Sequence, residues 1–463
     1  MKTVAFHNLG CKVNTYEMEV IQQKFAEAGY QIMPFDSVAD VYVINTCSVT
    51  NIADHKSRQM LHKAKRRNPD AVVIAAGCYS QTDTEGASAD DSVDIVLGNN
   101  RKAEIIDVLN EHLKTVSGQD KTSVVVDDLT GPSPYEDCGI NDSNERTRVD
   151  IKIQDGCDQF CSYCIIPAAR GRVRSRSKDS IIEEIKVLAD KGYKEVVLTG
   201  IHLSSYGIDL TGDKYVPYNV LTADGDYTNN ELIDVINSVA AIDGIKRIRL
   251  GSLEPRVITK QFTEAIAATD AVCPHFHLSL QSGCDDTLIR MNRRYTADEY
   301  YDKVRLLRES YVNPAITTDI IVGFPGETEE EFAKTVEFIN KVDFYETHVF
   351  KYSRRRGTVA AGLPNQVTEA VKGLRSDVLL DICDKHREAF LREHIGKSSE
   401  ILIEESRNID GQTMMIGHTR EYITAAIPVM SDGNRPAEGD IVCGVADSAH
   451  DGRMLICSNL SRA

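Results

Sequence analysis

The sequence predicts an α/β protein in three parts: an N-terminal open parallel α/β domain, a central (βα)6 barrel and a small C-terminal antiparallel β-barrel. Three observations carry this. Short apolar strands alternate with amphipathic stretches over residues 1–110. The same alternation restarts near Arg148, after a polar, turn-rich stretch. From about residue 396 the pattern changes to short strands separated only by turns.

In order, segments 3–6, 41–45, 72–76 and 95–97 read as parallel strands, with amphipathic helices at 17–28 and 54–67. They define a first domain over 1–115. Gly131-Pro-Ser-Pro and the polar stretch 141–145 mark residues 116–145 as a linker, with a strand-like 123–126 inside it. The second domain, 146–394, offers strands at 149–153, 195–198, 247–250, 277–280, 316–322 and 344–350. Helices lie between them at 180–191, 230–240, 258–268, 297–309 and 329–341. Six such units suit a partial TIM-type barrel with its chemistry at the C-terminal ends of the strands. A long helix over 369–393 follows. Residues 395–463 hold five short strands, at 400–403, 414–417, 423–426, 440–445 and 454–458.

Composition narrows the class. With 463 residues, 42% hydrophobic and only 13 prolines, the chain should be globular with ample core. Twelve cysteines are far too few for a disulfide scaffold in a chain of this length. Met1-Lys-Thr-Val-Ala-Phe-His-Asn runs directly into a strand, and no stretch is apolar enough for a membrane span. A cytoplasmic location without membrane contact is therefore expected, with reduced thiols available to metal. A net charge of −17 argues against a generally basic nucleic-acid binder but is compatible with a local basic track.

Cys157, Cys161 and Cys164 follow the first barrel strand in Gly156-Cys-Asp-Gln-Phe-Cys-Ser-Tyr-Cys. They supply three thiolates, whereas a simple electron-transfer [4Fe–4S] cube takes four. Three ligands leave one iron open. A zinc knuckle would need a fourth Cys or His nearby, and none is present. The C-x3-C-x2-C spacing, with aromatic Tyr163 before the last cysteine, resembles the signature of radical S-adenosylmethionine (SAM) enzymes. That resemblance implies an open iron binding the amino and carboxylate groups of SAM, whose reductive cleavage gives a 5′-deoxyadenosyl radical.

Cys11, Cys47 and Cys78 each end a predicted strand of the first domain. Strand C-termini of an open parallel sheet converge on one crevice, so the three could meet at a second cluster. On their own, buried apolar thiols would account for them equally well; beside the first motif, a second three-cysteine cluster is the stronger reading. Cys138, Cys273, Cys284, Cys383, Cys443 and Cys457 show no ligand spacing and read as structural thiols, with Cys284, after Gln281-Ser-Gly at the barrel rim, the one to watch.

The order of motifs is similar to that of the methylthiotransferase family across essentially the whole chain. Leu9-Gly-Cys-Lys-Val-Asn, Asn45-Thr-Cys, Gly77-Cys, Asp155-Gly-Cys-Asp-Gln-Phe-Cys-Ser-Tyr-Cys, Ala169-Arg-Gly, Gln281-Ser-Gly, Met291-Asn-Arg-Arg-Tyr, Thr318-Asp-Ile-Ile-Val-Gly-Phe-Pro-Gly-Glu and Tyr352-Ser-Arg-Arg carry the likeness. The terminal barrel resembles a TRAM domain, which contacts RNA in that family. Gly10-Cys-Lys-Val-Asn, the segment 198–207 and Ser252-Leu-Glu-Pro are similar to the branch that methylthiolates C2 of N6-threonylcarbamoyladenosine at position 37 of tRNA. Branches acting on isopentenyladenosine or on a ribosomal-protein aspartate are the alternatives. The chain departs from the family in a polar insertion at 209–229 and in Arg356 where proline is usual.

The resemblance implies two [4Fe–4S] clusters, one on Cys157, Cys161 and Cys164 for SAM, the other on Cys11, Cys47 and Cys78 for the sulfur to be inserted. Thr199, Gly200, Ser252, Glu254, Gln281, Thr318 and Asp319, near predicted strand ends, are candidates for SAM contacts, or else ordinary loop capping. Arg170, Arg172 and Arg174 are expected on tRNA phosphates of the anticodon stem-loop. Because a threonylcarbamoyl group carries a carboxylate, a cation is expected near the cavity, with Arg170, Arg294 and Arg354 as candidates. An external reductant of flavodoxin or ferredoxin type and a sulfur donor complete the expected partners.

Overall fold

The computed structural model describes residues 2–115, 122–143, 147–210, 215–223, 225–429 and 436–462. The domain boundaries expected near 115 and 145, and residues 211–214 and 224 of the insertion, lie at the edge of or outside these residues.

β1 (Thr3–Asn8), β2 (Gln31–Met33), β3 (Val41–Thr46), β4 (Val72–Gly77), β5 (Ile95–Leu97) and β6 (Ser123–Val125) form one parallel sheet in the order β2-β1-β3-β4-β5-β6. Every residue of β3 is buried, as befits a central parallel strand covered on both faces. α1 (Lys12–Glu27) packs Met18, Ile21 and Phe25 against Val4, Val43 and Ile74 on one face. α2 (Asn51–Arg67) packs Leu61 and Ala64 against Tyr42, Ile44 and Val73 on the other. β6 falls in the stretch expected as a linker; its pairing with β5 makes it the sheet's last strand. The chain leaves β1 for β2 on one side and returns to β3 on the other, so the switch point lies at the C-terminal ends of β1 and β3.

The second unit is built on β7 (Arg148–Asp155), β8 (Arg174–Ser175), β9 (Glu195–Gly200), β10 (Arg247–Leu250), β11 (His275–His277), β12 (Ala315–Val322) and β13 (Glu346–Lys351). Sheets β10-β9-β7-β8 and β11-β12-β13 are linked by parallel bridges Ile248–Val272 and Leu253–Leu278. Six strands run parallel, and the short β8 runs antiparallel to β7. Regular pairing of β11 ends at His277, short of the predicted 280. There the Thr318 hydroxyl steps in, donating to Leu278 O (2.5 Å) and accepting from Leu280 N (3.0 Å).

Val149, Ile151, Ile153, Val196, Leu198, Ile248 and Leu250 face the helices and form the core. The alternate residues face the lumen and, apart from Val197 on β9, are polar on these strands: Asp150, Lys152 and Gln154 on β7, Thr199 on β9, Arg249 on β10, and His277 and Asp319 on β11 and β12. A TIM barrel packed solid carries branched apolar side chains at these places. A polar lumen is instead suited to a polar ligand.

After the helix Glu369–His394, β14 (Ser398–Ile409), β15 (Gln412–Thr419), β16 (Thr424–Pro428), β17 (Ile441–His450) and β18 (Met454–Arg462) close into a barrel ordered β14-β15-β16-β18-β17. The expected antiparallel pattern holds for all pairings except β16–β18, which is parallel. The β15–β16 turn docks at the N-terminal ends of the central barrel strands. Arg249 donates to Thr419 O (2.7 Å) and Arg420 O (2.8 Å), and Arg247 to Glu400 O (2.8 Å). Tyr422, at φ +68, meets His275 (ring centroids 5.0 Å) and lies under the guanidinium groups of Arg249 and Arg148. No helix among the described residues is long and apolar enough to cross a membrane.

Candidate iron–sulfur and substrate site

Asn8, Asn45 and Ala76 lie level in register across β1, β3 and β4. Cys11, Cys47 and Cys78 stand three, two and two residues further along these adjacent strands, at the switch point of the sheet. Gly77 makes this possible: at φ +97, an added Cβ would lie 2.5 Å from Asn45 Oδ1 and 2.6 Å from Thr46 O. Asn14, one turn into α1, donates to Leu9 O (2.7 Å) and Thr46 O (3.1 Å), binding the Cys11 loop to β3. Burial pushes the Cys11 thiol up and that of Cys47 to about 11, with neighbouring cysteines adding and Arg170 opposing. Cys11 is nonetheless solvent-accessible.

The other triad occupies the loop after β7. Gly156, at φ +72, cannot be another residue, because a Cβ there would fall 1.8 Å from Arg172 O. Burial, then the neighbouring thiols, raise Cys157 well above its ordinary value and push Cys164 to about 12. Gln159 N donates to Cys157 Sγ (3.5 Å) and Arg293 Nη1 to Cys161 Sγ (3.4 Å), both favouring thiolates. In neither triad do the three sulfur atoms all lie within 4.8 Å of one another. Ligands of a single zinc ion can be no more than about 4.6 Å apart, twice the Zn–S bond. The donor sets are all sulfur and too wide for one ion, and three thiolates are the ligand chemistry an iron–sulfur cluster takes.

Arg170, expected on RNA, has no exposed surface. It donates to Glu17 (2.7 and 3.0 Å), Asp155 (3.1 and 3.2 Å) and Asn14 Oδ1 (2.6 Å). Arg174 is also buried, on Ser133, Arg170 O and Asp155. With both side chains buried and their terminal nitrogens committed inside the protein, neither is a phosphate contact, and Arg170 is no candidate for a substrate carboxylate. Lys102 and Lys152 join the same two carboxylates. Four cations thus face Glu17 and Asp155, and the surplus positive charge lies beside Cys11 and Cys78. Burial opposes ionisation of both carboxyls, but Arg170 and Lys102 on Glu17, and Lys152 and Arg170 on Asp155, hold them far below the carboxylate range. Asn99 completes the junction, with Nδ2 on Cys78 Sγ (3.6 Å) and on Ala169 O (2.7 Å). Only Arg172 of the three arginines is open to solvent; it pairs with Asp158 (3.2 Å) and stacks at 4.8 Å on Phe160, an exposed aromatic at φ +49.

The structure places Thr199 and Gly200 at the end of β9, and Ser252 and Glu254 after β10. Gln281 lies beyond β11, bridged to Ile320, and Thr318 and Asp319 lie within β12. Ser252 is exposed. Thr318 is corrected as a ligand contact, because its hydroxyl is spent between Leu278 and Leu280. Asp319 Oδ2 lies 3.3 Å from His277 Nε2, and with His348 these form a cluster whose polar atoms lie within 4.8 Å of one another. Glu254 is buried, raised by desolvation, and accepts from Tyr218 (2.9 Å) of the 209–229 insertion. Tyr218 also meets the ring of His202 (4.9 Å), so the insertion seals the rim between β9 and β10. Sequence reasoning missed Tyr218, Arg293 and Lys12. Only Arg293 and Lys12 stood inside motifs already singled out. Arg294 and Arg354 are both exposed, and Arg354 donates to Ala361 O (2.8 Å).

A partial barrel with three cysteines after its first strand, joined to a parallel sheet that carries three more at its strand ends, is the arrangement of a radical SAM enzyme. Family models agree on both halves: the Radical SAM superfamily matches residues 151–339 and the Uncharacterized protein family UPF0004 matches residues 3–98. The chain is 40% identical over 427 residues to the threonylcarbamoyladenosine tRNA methylthiotransferase MtaB of Bacillus subtilis, covering 91% of this chain and 90% of that protein. The Aquifex aeolicus protein of the same name is 40% identical, covering 87% and 93%. A tRNA-2-methylthio-N(6)-dimethylallyladenosine synthase of Finegoldia magna is 36% identical, covering 89% and 86%. The chain belongs to the radical SAM methylthiotransferase family.

Proposed function

We propose that this chain attaches a methylthio group to C2 of N6-threonylcarbamoyladenosine at position 37 of tRNA. The carrying observation is the junction of two three-cysteine sites, one on each α/β unit, locked together by Arg170, Glu17 and Asp155. Cys157, Cys161 and Cys164 would hold the cluster for SAM, and Cys11, Cys47 and Cys78 the cluster for the sulfur. When bound, these groups supply one-electron reduction of SAM and a sulfur atom for transfer. The protein's part is placement. Arg293 offers its charge beside Cys161, and Glu254 and Tyr218 fix the rim. The polar lumen receives the modified base. Relatives named for the threonylcarbamoyl substrate reach higher identity than those named for the dimethylallyl one, which supports the branch assignment.

The RNA face would centre on the ledge of Phe160 and Arg172 beside the radical-site loop, supplemented by the C-terminal barrel in a TRAM-like role. An exposed aromatic under a cation is a stacking surface for a splayed nucleotide. A flavodoxin- or ferredoxin-type reductant and a sulfur donor would serve the clusters. The test is mass spectrometry of tRNA nucleosides from cells with and without the gene. Loss of 2-methylthio-N6-threonylcarbamoyladenosine in the deletion supports the reading, and its undiminished presence rejects it.

A further inference from the structure

A buried site that accepts a carboxylate-bearing base must offer that carboxylate a partner, or desolvation will exclude it. Most cations around the lumen are already committed. Arg170 and Lys152 are held by Glu17 and Asp155, Arg148 by Glu404 (2.6 Å), and Arg247 by Glu195 and Glu400. Arg249 serves Glu195 and two carbonyls of the docked turn. Arg293 is engaged by Ser279 O and the Tyr295 hydroxyl next to Cys161.

Lys12 differs. It is the first residue of α1, immediately after Cys11, and among the described residues its ammonium makes no hydrogen bond or ion pair. Its Nζ lies 6.0 Å from the centroid of Tyr422, the aromatic that also meets Arg148, Arg249 and His275 at the floor of the lumen. The carboxylate that acts on it most, Asp150, does so from beyond ion-pair distance. Lys12 is solvent-accessible, and an accessible ammonium held near Tyr422 and one residue from a cluster cysteine can receive an anion that arrives with the substrate.

We propose that Lys12 receives the carboxylate of the threonylcarbamoyl side chain, with Tyr422 of the C-terminal barrel as the wall behind it, and so sets the choice of modified base. This deepens the proposed function and rests on it. It also assigns the C-terminal barrel a part in the substrate pocket, beyond any contact with RNA backbone.

The experiment uses the reconstituted holoenzyme and anticodon stem-loops that differ only at position 37: adenosine, threonylcarbamoyladenosine, its carboxamide analogue and isopentenyladenosine. Binding is read by fluorescence anisotropy, and iron content checks each preparation. Wild type should bind the acid more tightly than the carboxamide or plain adenosine. Lys12→Gln should lower that preference by about 10- to 150-fold, the worth of a hydrogen bond to a charged group, and Lys12→Arg should restore much of it. A preference that survives Lys12→Gln overturns the proposal and leaves the methylthiotransferase reading intact. So does a wild type that binds acid and carboxamide alike, a measurement that needs no variant to fold. If wild type methylthiolates the isopentenyl loop as well as the threonylcarbamoyl loop, the substrate reading itself fails, and this inference with it.

Discussion

The Arg170 guanidinium lies 2.7 Å from the Glu17 carboxylate, and through that contact the loop of one cysteine triad is tied to the helix that starts at the other. Glu17 is six residues beyond Cys11, and Arg170 is six residues beyond Cys164. Asp155, at the end of β7, accepts from the same guanidinium. The distance between the two sites is therefore set by a buried ion network instead of by a flexible linker. Transfer between two centres requires such rigidity, because small displacements of reacting groups are costly.

Removing Arg170 should damage the fold before it affects RNA. Arg170→Met strips buried Glu17, Asp155 and Asn14 oxygens of the guanidinium that bridges them, a change that costs about 3–5 kcal/mol when a buried pair is broken. Urea unfolding followed by circular dichroism should show the midpoint falling accordingly. A loss under about 1 kcal/mol would mean that Lys102, Lys152 and Arg174 suffice for the two carboxylates.

Glu195 does the same for the docked C-terminal barrel. It is fully buried and accepts from Arg249 (2.7 Å) and Arg247 (3.4 Å), the two arginines that grip the β14 and β15 backbone. Burial opposes its ionisation, but Arg249 and then Arg247 prevail and hold its carboxyl below the usual range. A depressed folded-state value means that stability is fully present above the unfolded value of about 4.3 and is lost as pH falls through the folded one. The stability gap between wild type and Glu195→Gln should therefore be wide at pH 7 and narrow below pH 4. A gap that stayed constant down to pH 3 would contradict this assignment.

The three-part architecture and the placing of Cys11, Cys47, Cys78 and Cys157 just beyond strand ends were legible because each rests on local pattern: alternation of apolar strands with helices, and cysteines at strand ends. Arg170 and Arg174 were misread for the converse reason. A run of alternate arginines looks like a solvated basic face, and its partners Glu17, Asp155 and Ser133 come from three other segments of the chain. Tyr218 was invisible because nothing in a polar insertion says that its one buried tyrosine returns to Glu254. Thr318 stands in the expected strand, but only the register of β12 against the segment after β11 reveals that its hydroxyl is consumed there.

Iron content separates the two sites. Anaerobically reconstituted protein should hold about eight irons, four per cluster. Replacing Cys157, Cys161 and Cys164 by alanine should halve this and abolish SAM cleavage. Replacing Cys11, Cys47 and Cys78 should halve it again relative to wild type, with some uncoupled cleavage remaining. Full iron content in the second triple variant would remove the auxiliary cluster from the account.

Of Arg170, Arg172 and Arg174, Arg172 is the one open to solvent. Its side chain is 43% exposed and lies over Phe160 beside the radical-site loop. Arg172→Ser should weaken binding of the anticodon stem-loop and flatten the dependence of log K on log salt by about one counterion. Phe160→Ala should weaken binding about 5- to 150-fold, the range for loss of one stacked base, with no change in that slope, because stacking releases no counterions. Arg174→Ser, which opens a buried pair with Asp155, should lower thermal stability and leave the slope alone. The three variants thus divide charge, stacking and architecture among residues close together in sequence. If Arg174→Ser changed the salt slope and Arg172→Ser did not, the RNA path would have to run through a rearranged loop in which the buried network opens.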